Sequence, residues 1–248
     1  MTQAIIADDV KRSFRPSFFL WMTVVMAFFI FSGFGLTYWI PMATGSLAPV
    51  PPVVHLHGLF FFSWIVLLVA QSVLINVRNV PLHRSLGMLG IGIGTGVLLV
   101  GTLITLLSVR ASAAAPSPDN NNLTYLSVTA IVSFAVLFVA AIRNVRKPEN
   151  HKRLILFATI NLLPPGVNRL YMVSLDMTQL PLLATYLTLD GLAIAMLIHD
   201  WRTLGKLSGA SLVGAAFVFV PQLLQPLIVD SAAFASLTAM LIDLAYYR

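Results

Sequence analysis

The chain has 248 residues, of which 58% are hydrophobic and only 10% charged, with a mean hydropathy of +0.89. A soluble domain carries roughly 25% charged residues, so the composition excludes a water-soluble globule and points to lipid as the solvent. The formal net charge of +6 sits in short segments between apolar runs, which argues against a nucleic-acid-binding patch, and the lack of cysteine excludes disulfides and thiol chemistry.

In chain order, seven apolar segments are predicted, at about residues 18–40, 54–76, 86–108, 123–142, 153–173, 180–198 and 209–229. A helix of ~20 apolar residues spans the hydrocarbon core of a bilayer. The expectation is an all-α integral membrane bundle of seven transmembrane helices, with residues 1–17 as a cytoplasmic tail and 18–248 as one domain. The first run follows Lys11, Arg12 and Arg15. It exceeds the roughly 7–15 residues of a signal-peptide core and is read as a retained helix. The third run carries GMLGIGIGTG over residues 87–96. No strand precedes it, so it is not a nucleotide-binding glycine loop. Gly90 with Gly94, and Gly92 with Gly96, instead suit close helix approach. Residues 111–122 form a turn-rich polar loop.

Pro164 and Pro165 should kink the fifth helix, and Pro221 and Pro226 the seventh, because proline removes a backbone donor and crowds the preceding turn. The freed carbonyls then need partners such as Asn161, Asn168 or water. The apolar tail 231–246 either extends helix seven or lies along the interface.

The basic residues alternate. Twelve of the fifteen Lys and Arg fall on one side: Lys11, Arg12, Arg15, Arg78, Arg84, Arg143, Arg146, Lys147, Lys152, Arg153, Arg202 and Lys206. Arg110, Arg169 and Arg248 fall on the other. The positive-inside rule puts the N-terminus in the cytoplasm and the C-terminus outside. Tyr38, Trp39, Tyr125 and Tyr171 are placed near outer helix ends, as an aromatic belt would be.

Two sets of residues are candidates for chemistry. His83, His151 and His199 lie at inner helix ends, and neutral imidazole ligates haem iron and transition metals. They are the candidate cofactor site, for haem b or a metal ion. His55 and His57 lie at the outer end of helix two, pointing apart. Asp190 lies near the middle of helix six, where an unpaired carboxylate is costly. Arg169 is its expected partner, and His57, Asn168, Arg169, Tyr171 and Asp190 form a candidate outward-facing ligand pocket.

The motifs His57-Gly58, Trp64, Gln71, His83-Arg84-Ser85-Leu86-Gly87 and His151-Lys152-Arg153-Leu154 resemble a group of uncharacterised bacterial multi-pass inner-membrane proteins, over about residues 55–205. That resemblance implies a bacterial plasma-membrane location and no particular activity. A looser similarity is to membrane haem proteins of the cytochrome b561 kind. The chain departs from that plan, since the outer histidines share one helix and the inner ones lie at helix ends.

These observations define three expectations. The first is a haem- or metal-binding redox protein using the inner histidines, exchanging electrons with a partner such as a quinone. The second is a transporter or small-ligand-binding protein centred on Asp190, Arg169 and His57. The third is a metal-dependent hydrolase with Asp200 near the inner histidines, against which stands the lack of an HExxH motif. A rhodopsin-like function is disfavoured because helix seven has no lysine for a Schiff base.

Overall fold

The structure is a computed structural model that describes residues 15–115, 117 and 119–246. Lys11, Arg12, Arg248 and part of the 111–122 loop lie outside the described residues. Every regular element among the described residues is helical. Helix α1 (Phe18–Phe34) passes through a π-helical turn, Gly35–Trp39, into a short α2 (Ile40–Thr44). Then follow α3 (Pro52–Asn76), α4 (Val80–Ala114), α5 (Asn120–Arg143), α6 (Pro148–Ile160), α7 (Pro164–Ser174), α8 (Leu182–Leu204), α9 (Gly209–Ile228) and α10 (Ala232–Tyr246).

Among the described residues, six helical stretches are long and apolar enough to cross a membrane: α1 through α2, then α3, α4, α5, α8 and α9. Their outer surfaces carry Leu59, Met88, Leu99, Leu183 and Leu223, each more than 60% exposed. A water-facing surface of this extent would be an aggregation hazard, whereas hydrocarbon solvates it without cost. The chain is therefore a multi-pass membrane protein with an all-α fold.

Contacts between remote segments define two ends. Ser17 N donates to Asn76 Oδ1 at 2.8 Å, and Phe18 stacks on His199 at 4.0 Å. These bring the start of α1 to the ends of α3 and α8, beside the loops that hold Arg78, Arg146, Lys147 and Lys206 (the basic end). At the opposite end Tyr38 pairs with His55, and Leu180 N donates to Asp119 Oδ2 at 3.2 Å.

The centre of the bundle is the interrupted segment α6–α7. It packs against α1, α5, α8 and α9. Phe157, Ile160, Leu163 and Val167 are fully buried in it. Pro164 and Pro165 have no N–H, so the carbonyls of Ile160 and Asn161 lose their helical donors. The helix does more than kink. It stops at Ile160, and Leu162 N and Leu163 N turn back onto the carbonyls of Thr159 and Ile160 at 2.9 and 3.1 Å. The Asn161 amide donates instead to the Phe157 carbonyl at 2.9 Å, which also accepts from Asn161 N, while Leu163 N takes up the freed Ile160 carbonyl.

The glycines of α4 act as sockets for rings. A Cβ on Gly94 would strike Phe138, and one on Gly96 would strike Phe60, while Gly92 faces open space. The closest approach of two backbones lies elsewhere, where a Cβ on Gly166 would stand 2.9 Å from Ile30 Cα and one on Gly33 would strike the Gly166 carbonyl. Residues 231–246 do not extend the preceding helix. The chain turns at Val229–Ser231, and α10 packs back on α4. Tyr125 is 5% exposed, stacks edge-on with Phe234 and donates to the Pro221 carbonyl at 2.7 Å, so it belongs to the core and not to an aromatic belt.

Candidate functional site

At the basic end, α6 delivers Arg153 into the core. Its side chain and that of Asp200 on α8 are each 1% exposed. The guanidinium donates from Nε to Asp200 Oδ1 at 2.8 Å and from NH2 to the same oxygen at 2.5 Å. NH1 takes the Glu149 carbonyl at 2.8 Å and the Glu149 carboxylate at 2.6 Å. Ser208 N, at the start of α9, adds a 3.3 Å bond to Asp200 Oδ2. Glu149 itself stands ahead of the apolar stretch, where hydrogen bonds from Lys152 and then Arg153 hold its carboxyl below the usual carboxylate range. With its polar atoms engaged on both sides, this cluster is a lock between α6, α8 and α9 and not a reactive site. From the sequence, Arg153 is a topology signal and a member of the His151-Lys152-Arg153-Leu154 motif, with no ion-pair partner assigned to it. The available clue was its position one residue before the run LILFATI, with Glu149 one turn back.

The three inner histidines do not converge. His83 opens α4, where Gln71 Nε2 donates to its carbonyl at 3.1 Å. His151 is its electrostatic neighbour, and His151 Nδ1 is engaged with the Ala141 carbonyl at 2.9 Å. His199 is instead sandwiched with α1, stacked on Phe18 and edge-on to Phe19 at 5.2 Å. The packing order explains the separation: α4 lies on α3, α5 and α10, whereas α8 lies on α6, α7 and α9. Among the described residues no group of three His, Cys, Asp or Glu side chains is placed to hold a metal ion. The geometry thus lends no support to the expected three-histidine metal centre, nor to the zinc hydrolase that relied on those ligands.

The residues assigned to an outer pocket divide into two groups by their partners. Arg169 on α7 lies over the Phe34 ring at 4.5 Å and donates to the Pro165 carbonyl at 3.0 Å. His57 is its electrostatic neighbour and packs on Phe61 at 4.1 Å, with Nδ1 buried and lacking a partner among the described residues. Asn168 and Tyr171 turn the other way, to α8. Thr185 donates to Asn168 Oδ1, and Tyr171 Oη lies 3.0 Å from Thr188 Oγ1. The expected Asp190–Arg169 ion pair does not form. Its members leave α7 and α8 in different directions, and Asp190 has Gln222 of α9 as its side-chain neighbour.

Asp190 Oδ1 and Gln222 Nε2 are both buried without a hydrogen-bond partner among the described residues. One turn earlier on α8, the Tyr186 hydroxyl donates to Gln225 Oε1. Gln225 Nε2 in turn donates to Asn122 Oδ1 at 2.8 Å. A polar seam thus runs between α8, α9 and α5 from Asp190 to the opposite end of the bundle. A cavity of about 20 Å³ adjoins it, lined by Thr129, Asn161, Pro164, Tyr186 and Gln222. That volume holds roughly one water. Asn161 and Pro164 place it at the break in the central segment. Sequence reasoning found Asp190 but missed Gln222, Tyr186 and Gln225, which carry no formal charge. The signal was present as Gln222 and Gln225 inside an apolar, proline-containing run.

A larger cavity, of about 550 Å³, lies apart from this seam between the α1–α2 junction, α3 and α4. Comparison of the chain with protein-family models, with curated protein sequences and with solved structures finds no match.

Proposed function

We propose that this protein is a seven-span membrane protein that binds and moves a small polar solute or ion through its interior, with Asp190 as the central binding group. The supporting observation is Asp190, whose Oδ1 is buried without a well-formed hydrogen bond among the described residues and whose side-chain neighbour, Gln222, lines the cavity at the break in α6–α7. Buried polar groups in native proteins are normally paired, and an intramembrane carboxylate is costly unless it is wet, protonated or bound to a ligand. Interrupted helices at membrane depth recur where a backbone break lines a binding cavity. The hydrogen-bonded series Tyr186, Gln225, Asn122 supplies a polar route from Asp190 outward. His57 and Arg169 offer a separate polar group near the same end.

The seventh span is α6 and α7 taken together. The charge alternation favours a cytoplasmic basic end and an external C-terminus, and the motif resemblance favours a bacterial plasma membrane. The redox reading retains only the neighbouring pair His83 and His151 in its support.

Because the chain has no native cysteine, thiol labelling tests the reading directly. Asp190→Cys should react with a charged, water-soluble methanethiosulfonate. Leu187→Cys, on the 62% exposed outer surface of α8, should not. An unreactive Asp190→Cys in a folded variant means that water does not reach the carboxylate, and the transport reading fails.

A further inference from the structure

The larger cavity is a groove that opens sideways, toward hydrocarbon. Its floor is a stripe of α3 running from His55 through Gly58, Phe62 and Ser63 to Ala70, and Leu89 of α4 forms one bank. The other bank is Tyr38 and Trp39, carried by the π-helical turn. A π turn inserts one residue into the helical phase, which re-aims the side chains that follow it, and such turns are frequent at functional sites. Here the re-aimed Tyr38 hydroxyl meets His55 Nδ1 at 2.5 Å. Trp39 lies 5.0 Å from the Phe62 ring.

The chemistry of the groove selects its occupant. None of its lining residues is Asp, Glu, Lys or Arg. A phosphate or carboxylate headgroup would find no counter-charge there, so the ligand is neutral. When Tyr38 donates to His55 Nδ1, the neutral imidazole carries its proton on Nε2 and offers that N–H to a ligand oxygen. The aromatic walls favour a flat ring beside that donor. Below it, the stripe from His55 to Ala70, fifteen residue steps, extends ~22 Å at 1.5 Å per residue, room for an extended hydrocarbon tail. An apolar cleft with a few placed polar groups at one end is the usual form of a small-molecule site.

We propose that this groove binds a neutral, lipid-soluble quinone or quinol, with a ring oxygen on the Tyr38–His55 pair and the isoprenoid tail along α3. The site is independent of Asp190, and binding alone is proposed, with no electron transfer.

The test uses the full chain in phosphatidylcholine nanodiscs, titrated with a decyl-tailed benzoquinone and read by quenching of tryptophan fluorescence. Wild type should show saturable quenching. His55→Ala should bind about tenfold more weakly, the effect of one lost hydrogen bond. Val66→Trp and Ser63→Trp, which fill the groove, should abolish saturation. Val66 is 57% exposed, so its replacement leaves the packed core alone. Melting curves identify any variant that fails to fold. The proposal is overturned if quenching is identical in wild type and the folded Val66→Trp protein. It is also overturned if decylbenzene, which has the tail and ring without oxygens, competes as well as the quinone. Loss of the saturable quenching when phosphatidylglycerol is added to the nanodiscs would overturn it too.

Discussion

Arg153 shows how much one side chain decides in this bundle. A guanidinium inside a membrane protein is tolerated because Asp200, Glu149 and the Glu149 carbonyl take its donors. Removing one member of such a buried pair leaves an unmatched charge and costs about 3–5 kcal/mol. Arg153→Met should therefore lower the melting temperature in detergent by on the order of 10 °C. Arg153→Met combined with Asp200→Leu should recover part of that loss, since both charges are gone. If Arg153→Met melts like wild type, the lock does not contribute to stability. Asp190 differs in kind. Its carboxylate has one oxygen buried without a partner, which is why it is assigned a ligand and Arg153 is not.

Among the elements, the decisive ones are α1 and α7. Gly33 and Gly166 let their backbones touch, and no side chain fits between them. Gly33→Val should destabilise by about 1–3 kcal/mol, because the added methyls meet backbone that cannot rotate away. Gly92→Val, facing open space, is the matched control. Unfolding titrations of the two variants should separate clearly, and equal stability would refute the close packing of α1 on α7. The same contact holds the segment that carries the break, so loosening it should also disturb the cavity at Asn161 and Pro164.

For the whole molecule, the central question is which faces the two ends occupy. Single cysteines at Ser117 and Lys206, both exposed, should react with an impermeant maleimide from opposite sides of a sealed membrane. Ser117 should label from outside and Lys206 from the cytoplasm. Labelling from one side only would remove the seven-span arrangement, since α6–α7 would then fail to cross. The cysteine-free chain makes this a background-free measurement.

Helices, their order and the membrane setting were legible in the residues, because apolar runs of bilayer length and the placement of Lys and Arg are properties of local sequence. The proline pair at 164–165 marked the interruption, and Asp190 marked itself by its charge. What lay beyond local pattern was which helices are neighbours. An apolar helix in lipid carries little directional information about its partner, since lipid tails and leucines are equally apolar. Only the packed structure decided that His199 joins Phe18, that Arg169 turns to Phe34 and away from Asp190, and that Gln222 and Tyr186 share the seam with Asp190. Those choices rest on shape, on a glycine admitting a backbone or a ring finding a socket, and shape arises only when the helices meet.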